Sequence, residues 1–257
     1  MSTKRTVYLA GKARGEKWEL IKYIQGCDFI ASDDTDKGHG DFSCYGKNAA
    51  DKISVSDFLI AYLDTPDSYG SIAEIAWAAA MNKPCYMIVI DPLFPDRFSP
   101  DKEFSYEEYI SGDMYDAYHF VGSMPNVCSV EVKNKDDALI VFKNICALES
   151  PIEHIFYQQV LSFSEVFRNT KAQEKIGNYR VDFLIKGENG VFAIELDGHD
   201  YHKTKEQRTH DAQKDRSLIQ NGINVLRYTG SEVHKDSWQC VYGLAKILFP
   251  STYKSAS

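Results

Sequence analysis

Carboxylates that could act on a sugar follow a strand in the first half of the chain. Asp64, Asp67 and Glu74 come directly after the apolar run at residues 58–63, and ligands of parallel α/β sheets bind at the carboxyl ends of strands. A carboxylate near an anomeric carbon can attack it, while a second acid assists the leaving group. Glu74 is the candidate nucleophile. The same residues would also suit an ordinary helix start, because turn-forming Asp and an acidic first helical turn are both favourable there.

A second pair of carboxylates lies on a predicted β-hairpin. Asp182 and Glu195 flank the turn signal at residues 187–190, so neighbouring antiparallel strands would bring them together. With the carbonyl of Leu196 they would form a hard-oxygen site for Mg²⁺ or Mn²⁺, which activates water for attack on a phosphodiester. Glu153, on a preceding helix, is the candidate third carboxylate. A sheet with ordinary polar strand ends would give the same pattern.

Strand and helix patterns alternate through residues 5–147, which predicts a doubly wound α/β sheet. The predicted strands are 6–10, 29–31, 58–63, 85–90 and 127–132. The predicted helices are 16–25, 48–54, 71–81 and 136–147. A segment rich in Pro, Tyr and acids, with one short helix between residues 106 and 118, interrupts the alternation. Ser150-Pro151 predicts a boundary between domains at residues 1–149 and 150–257.

The second half has a different order of elements. We expect one amphipathic helix at 151–167, the hairpin, a basic helix at 205–220 and a final strand and helix. The hairpin strands are predicted at 181–185 and 191–196, and the final elements at 223–228 and 231–248. This pattern places the second pair of carboxylates on one sheet and a row of cations on the helix that follows it.

Composition excludes a membrane protein and a small disulfide scaffold. The chain has 257 residues, 44% of them apolar and 26% charged, with no apolar run of about 18 residues and no signal-peptide pattern. We therefore expect a cytoplasmic protein with no membrane partner. None of the six cysteines forms a CxxC pair, so we expect no zinc site and mostly reduced thiols.

Charge is divided unevenly between the halves. Residues 1–149 carry 15 Lys and Arg against 24 Asp and Glu, whereas residues 150–257 carry 14 against 13. The acidic half is a poor surface for nucleic acid, while the nearly neutral half can bind it through a local basic patch. A polar loop at residues 32–45 is expected to cover the first site. Its residue His39 is expected to contact a sugar hydroxyl or a phosphate of the ligand. An ordinary acidic loop explains the same composition.

Residues 5–147 resemble the nucleoside 2-deoxyribosyltransferase family. The family has an opening Tyr-Leu-Ala-Gly, a strand ending in Asp, the motif Asp-Ser-Gly-Thr-Ala-x-Glu-x-Gly, and Lys-Pro before the next strand. The matching residues here are Tyr8 to Gly11, Asp64, Asp67, Ser68, Gly70, Ser71, Glu74 and Lys83-Pro84. Tyr69 is inserted, Ile72 replaces Ala and Ala76 replaces Gly, departures that affect the expected substrate more than the fold.

The resemblance implies a Rossmann-like fold and chemistry at an N-glycosidic bond. Glu74 would be the nucleophile or would stabilise the transition state, with Asp64 and Asp67 positioning sugar and base. The implied ligand is a nucleoside, a nucleotide or NAD, with no cofactor required. The implied substrate-binding residues are Tyr8, Gly11, His39, Ser68, Gly70 and Ser71. Enzymes of this kind often complete their sites across subunits, which leaves a homo-oligomer open.

Residues 153–248 resemble the PD-(D/E)xK restriction-endonuclease-like superfamily, especially the branch related to very-short-patch repair endonucleases. The segments that carry the resemblance are residues 177–183, 195–202, 211–218 and 222–227. It implies a restriction-endonuclease-like α/β domain, Mg²⁺ or Mn²⁺ on Asp182, Glu195 and Glu153, and DNA or RNA as partner. Five basic residues are available for phosphate contacts, although the acids between them also suit a solvated face: Lys203, Lys205, Arg208, Lys214 and Arg216.

One residue departs from the superfamily motif. Asp197 stands where the superfamily has Lys, a change that the related branch tolerates, and a cation from elsewhere in the chain would serve in place of that Lys. Lys214 is the first candidate and His202 the second. If neither replaces it, the domain would bind nucleic acid without cutting it.

The two resemblances together predict an enzyme with two activities, N-glycosidic cleavage or transfer and phosphodiester cleavage. A nuclease whose first domain only senses a nucleotide, and an inactive nucleic-acid-binding protein, are the alternatives. The combination resembles bacterial defence effectors, an analogy that rests on fold alone.

Overall fold

The computed structural model describes residues 4–11, 16–31, 45–64, 68–90, 116–198 and 204–253. The chain divides into two compact units, Met1–Phe142 and Lys143–Ser257. The division falls within a helix, shortly before the boundary predicted after residue 149. Within the described ranges, no helix combines the length and the apolar character needed to cross a membrane.

The first unit is built on a five-stranded parallel sheet with helices between its strands. The strand order is β2-β1-β3-β4-β5, which confirms the predicted α/β class. The elements are β1 (Arg5–Gly11), α1 (Lys17–Ile21), β2 (Cys27–Ile30), α2 (Tyr45–Val55), β3 (Phe58–Leu63), α3 (Tyr69–Ala80), β4 (Cys85–Ile90), α4 (116–122), β5 (Val127–Val132) and α5 (Lys135–Ala147).

The apolar strands form because both faces of the sheet are covered. All six residues of β3 are buried. On one face, Leu59 and Ala61 join a core with Ile53 of α2 and Ile75 of α3. On the other face, the ring of Tyr62 lies 6.2 Å from that of Phe142 in α5.

The direction of the strand order reverses between β1 and β3, the position at which α/β folds have a ligand-binding crevice. From β1 the chain crosses to β2, and from β3 it crosses to β4 on the opposite side, which is the topological arrangement where α/β proteins bind ligands. Gly11 closes β1 with φ of +133°, and a Cβ on it would lie 2.5 Å from the carbonyl oxygen of Tyr62. A larger residue at position 11 would therefore push the two strands apart at this crevice.

The second unit has a four-stranded mixed sheet in the order β6-β7-β8-β9. The first two pairings are antiparallel, and β8 pairs with β9 in parallel through the crossover helix α8. The elements are α6 (Pro151–Val160), α7 (Ser164–Arg168), β6 (Thr170–Ile176), β7 (Tyr179–Gly187), β8 (Gly190–Asp197), α8 (Lys205–Gln220), β9 (Ile223–Thr229) and α9 (Gly230–Leu248).

The structure corrects several predicted elements. The single helix expected at 151–167 is two helices, because Phe163 is extended and its buried ring packs near Trp238. Strand β6 was not predicted, since its sequence is mostly polar. The helix expected at 16–25 is confined to α1.

Two further expectations concern the first unit. Helix α3 begins at Tyr69 rather than at residue 71, so Glu74 lies in its second turn and not in its first. This start weakens the explanation of Glu74 as a helix-dipole residue, since that effect falls off within the first turn. The short helix expected between residues 106 and 118 falls mostly outside the described residues, which are helical at 116–122.

Candidate functional site

The β7–β8 hairpin positions the two carboxylates of the second unit. Phe183 pairs with Ile194, so Asp182 and Glu195 are the next residues along the two strands. Asp182 Oδ2 accepts a hydrogen bond of 2.7 Å from the backbone N–H of Leu196. This bond ties the carboxylate of one strand to the end of the other.

Burial determines the electrostatics of this pair. It raises the pKa of Asp182, against the hydrogen bond from Leu196, and the charge of Glu153 raises that pKa further. Burial likewise raises the pKa of Glu195, where Lys214 opposes it and Asp182 adds to it. Two carboxylates that repel each other in a poorly solvated place favour a cation between or beside them.

Helix α8 supplies a cation to this pair. Lys214 Nζ lies 2.7 Å from Glu195 Oε1 and 2.8 Å from Oε2, and the two side chains are 12% and 10% exposed. The closer approach, to Oε1, has the distance of an ion pair without the direction of a hydrogen bond. The structure thus places the first candidate for the missing motif lysine against a predicted metal-binding carboxylate.

Asp197, which occupies the motif position of that lysine, is paired with an arginine of β9. Arg227 Nη1 lies 3.5 Å from Asp197 Oδ1, and Arg227 Nη2 lies 2.6 Å from Asp215 Oδ1 on α8. Burial works to lower the pKa of Arg227, but the hydrogen bond and charge of Asp215 outweigh it and raise that pKa. Arg227 therefore joins β9 to β8 and to the helix that carries Lys214.

Glu153 is buried and is engaged in hydrogen bonds at the start of α6. Its carboxylate accepts from Ser150 Oγ at 2.7 Å, from the N–H of Glu149 at 2.8 Å and from Gln173 Nε2 at 2.9 Å. Over the part of the chain that the structure describes, no group of three or more His, Cys, Asp or Glu side chains is arranged to hold a metal ion. The predicted role of Glu153 as a metal ligand stays a prediction.

The remaining donors suit a hard cation. Asp182 and Glu195 are oxygen donors of the type that Mg²⁺ and Mn²⁺ prefer. Glu195 Oε1 is buried and accepts no hydrogen bond from the described residues. A divalent ion bound to this pair would satisfy that oxygen.

Gln173 is a residue of this site that the sequence did not reveal. It lies in the middle of β6 with φ of +53°, a left-handed conformation that is uncommon for a residue with a side chain. Its Nε2 donates to Glu153, and its Oε1 is buried without a hydrogen-bond partner among the described residues. Its position in a polar stretch carries no sequence signal for either property.

The first unit brings together part of its predicted site. The hydroxyl of Tyr8 on β1 donates a hydrogen bond of 2.6 Å to Glu74 Oε1 on α3. Asp64 follows β3, and its Oδ1 is buried without a hydrogen-bond partner in the described chain. Ser68 and Ser71 are buried at the start of α3.

Other predicted residues contribute less to the described geometry. Gly11 ends β1 at the crevice, whereas Gly70 is exposed in the first turn of α3. Asp67, His39, His202 and Lys203 lie outside the described residues, as does the side chain of Arg208. Lys205 and Arg216 are exposed on α8.

The mixed sheet, its hairpin carboxylates and the lysine of the crossover helix coincide with a family match. Residues 159–248 match the family model described as REase_MTES_1575. The match points to a restriction-endonuclease-like domain in the second unit. The matched range contains Asp182, Glu195 and Lys214, whereas Glu153 precedes it.

The chain was also compared with curated proteins and with solved structures. No curated protein matches the chain significantly. A solved structure, the crystal structure of a conserved protein from Enterococcus faecalis V583, is similar with 14% identity and a TM-score of 0.34. That match covers 53% of this chain and 96% of the other.

Proposed function

We propose that the restriction-endonuclease-like domain hydrolyses phosphodiester bonds of DNA or RNA and uses Mg²⁺ or Mn²⁺ held by Asp182 and Glu195. The observation that carries the proposal is the buried pair of carboxylates with Lys214 against Glu195. The ion would supply Lewis acidity and lower the pKa of a bound water. Asp182 and Glu195 hold the ion, and the backbone N–H of Leu196 orients the Asp182 carboxylate.

Lys214 would take over the role of the missing motif lysine. Its ammonium group offsets the charge of Glu195 in the free protein and can offset developing charge on the phosphate when nucleic acid is bound. Asp197 lies 3.5 Å from Arg227, which contacts Asp215 more closely, so the charge of Asp197 is only partly offset. The position of Lys214 against Glu195 is what supports an active nuclease over an inactive one.

Cleavage assays of the full chain test this proposal. Wild-type protein should cut DNA or RNA with Mg²⁺ or Mn²⁺ and should lose cutting in a chelator. Asp182→Asn should abolish cutting while nucleic-acid binding is retained, and Glu188→Gln, at the hairpin turn, is the matched control that should cut normally. Metal-independent cutting, or normal cutting by Asp182→Asn, would refute the assignment. Tight binding without cutting under every condition would favour the inactive nucleic-acid-binding protein.

A second activity is proposed for the first unit, the cleavage or transfer of an N-glycosidic bond of a nucleoside, a nucleotide or NAD. The hydrogen bond between Tyr8 and Glu74 supports it, because it joins β1, which borders the topological switch point of the sheet, to helix α3. A hydroxyl that donates a hydrogen bond to a carboxylate orients it for attack. Asp64, with its unpaired Oδ1, would position the sugar, together with Asp67.

Release of free base tests the second activity. Purified wild-type protein incubated with nucleosides, nucleotides and NAD should yield free base detectable by mass spectrometry, and Glu74→Gln should not. Glu131→Gln, on β5, is the control carboxylate. Full activity of Glu74→Gln would remove Glu74 as the nucleophile.

A sensing first unit is the alternative to a catalytic one, and it would also fit a defence effector. Nuclease activity that changes on addition of a nucleotide, with the nucleotide recovered unchanged, would favour sensing. Free base produced by Glu74 would favour catalysis. Light scattering of the full chain tests whether a homo-oligomer forms.

A further inference from the structure

The backbone of Gln173 is strained at a place where the sheet faces the candidate metal site. Strand β6 pairs with β7 through Ala172–Phe183 and Glu174–Val181, so Gln173 is the residue opposite Asp182. It has φ of +53° inside the strand. Backbone strain of this kind persists where the surrounding structure holds the residue in place, and it concentrates at functional sites.

The orientation of the Gln173 amide follows from its partner. Glu153 already accepts hydrogen bonds from Ser150 Oγ and from the N–H of Glu149, so it is an acceptor. The group of Gln173 that lies 2.9 Å from it must therefore be the donor Nε2. This assignment turns Oε1, a good oxygen donor for a metal, away from Glu153.

Three oxygen-bearing residues consequently follow one another across the sheet. Gln173 on β6 is opposite Asp182 on β7, and Asp182 and Glu195 are the next residues after the last β7–β8 pair. The charge of Glu153, the partner of Gln173, acts on Asp182, so these groups lie near one another. Gln173 Oε1 is buried without a hydrogen-bond partner in the described residues, and Glu195 Oε1 is buried with only the ion-pair contact of Lys214.

We propose that Gln173 Oε1 is a ligand of the divalent cation bound by Asp182 and Glu195, an inference that rests on the proposed nuclease function. Amide carbonyl oxygens are ordinary ligands of hard cations. A neutral third ligand also suits the charge balance, since the two negative charges of Asp182 and Glu195 already match a divalent ion. The positive charge of Lys214 would then be available to the phosphate of a bound nucleic acid. The strained backbone of Gln173 would then serve to deliver its oxygen to the ion.

Mn²⁺ binding to the full chain, measured by the electron paramagnetic resonance signal of free Mn²⁺, tests the inference without an activity assay. Gln173→Met removes both polar atoms at similar size, and Gln173→Gly removes the side chain while it relieves the left-handed backbone. Both should weaken Mn²⁺ binding roughly tenfold or more. Gln173→Gly should melt no lower than wild type without metal, which keeps the test valid if Gln173→Met folds poorly.

Two controls separate this role from others. Ser150→Ala removes a different donor to Glu153 and leaves Gln173 Oε1 in place, so it should bind Mn²⁺ like wild type. Asp182→Asn should lose Mn²⁺ binding.

If Asp182→Asn loses binding while both Gln173 variants bind normally, the inference is overturned and the proposed metal site stands. If wild type binds no Mn²⁺ even with nucleic acid present, the metal-dependent function fails, and the inference fails with it. Weakened binding in Ser150→Ala equal to that in Gln173→Met would overturn the ligand role in favour of an effect through Glu153.

Discussion

The two units place different hydrogen-bond donors against their candidate glutamates, Glu74 and Glu195. In the first unit, Glu74 accepts a hydrogen bond from the neutral hydroxyl of Tyr8. In the second, both oxygens of Glu195 lie within 2.8 Å of the ammonium group of Lys214. A neutral donor orients a carboxylate and leaves its negative charge available, whereas an ammonium group neutralises it. The first arrangement suits a nucleophile, and the second suits a site that must also receive phosphate.

The same comparison separates the two proposals by what each needs from its surroundings. A glycosyl nucleophile needs an oriented anion beside a crevice. A nuclease site needs carboxylates to bind a metal and a cation that offsets phosphate charge. Four substitutions, taken from the largest expected effect to the smallest, break or sharpen this contrast.

Removal of the lysine should have the largest effect. Lys214→Met leaves the buried Glu195 without its counter-charge, and breaking such a pair costs about 3–5 kcal/mol of unfolding free energy. Urea unfolding of the wild type and the variant measures this loss. Lys205→Met, an exposed lysine on the same helix, should change stability by less than about 0.5 kcal/mol. Equal losses in the two variants would contradict the buried ion pair.

Removal of the Tyr8 hydroxyl should lower the unfolding free energy less than removal of Lys214 does, but it should clearly lower base release. Tyr8→Phe removes the hydroxyl from Glu74, and we expect it to cost about 1–3 kcal/mol of unfolding free energy. If Glu74 is the nucleophile, base release should fall while substrate binding changes little. Unfolding and product formation are measured on the same preparation. Unchanged base release would show that Tyr8 does not orient the reacting carboxylate.

The pH dependence of stability tests the repulsion within the second site. Because the pKa of Asp182 is raised in the folded state, its contribution to stability is full below the unfolded pKa and is lost as pH rises through the folded one. Asp182→Asn removes this loss and should gain stability relative to wild type as the pH rises above about 4. Added Mn²⁺ should reverse the order at pH 7 by stabilising wild type alone. Parallel pH profiles would contradict the raised pKa.

An exposed ion pair of the second unit should show the smallest effect. Arg180 contacts Glu149 through two hydrogen bonds of 2.7 Å, but the side chains are 55% and 51% exposed. Arg180→Ala should cost about 0–1 kcal/mol, because solvent and salt screen such pairs. Unfolding in low and high salt measures it. A cost as large as that of Lys214→Met would show that burial does not explain the difference between the two pairs.

Sequence patterns predicted the bounds of several elements and missed others. The predicted bounds of β3, β4, β5 and α8 agree with the structure. Strand β6 was missed because Thr170 is its only buried residue, so its extended form depends on pairing with β7. The break between α6 and α7 was missed because the apolar pattern runs through it.

The residues of the candidate sites, like the secondary-structure elements, were predicted in part. Tyr8, Glu74, Asp182, Glu195 and Lys214 were all chosen from sequence, and the structure joins them as one hydrogen-bonded pair in the first unit and one charged cluster in the second. Asp67, His39 and His202 lie outside the described residues, so their roles stay predictions. Gln173 was not predicted, because neither its backbone conformation nor its unpaired oxygen is encoded in a local pattern.

The sequence by itself determined the α/β class, the hairpin and the residue types available for chemistry. Apolar periodicity and turn residues act over a few positions, and they can be identified without knowledge of the fold. Only the tertiary structure decided which charges are paired: Lys214 with Glu195, Arg227 with Asp197, and Glu153 with the donors at the start of α6. These pairings depend on burial and on distances between strands and helices far apart in sequence, since the energy of a charge is set by its surroundings and not by its neighbours along the chain.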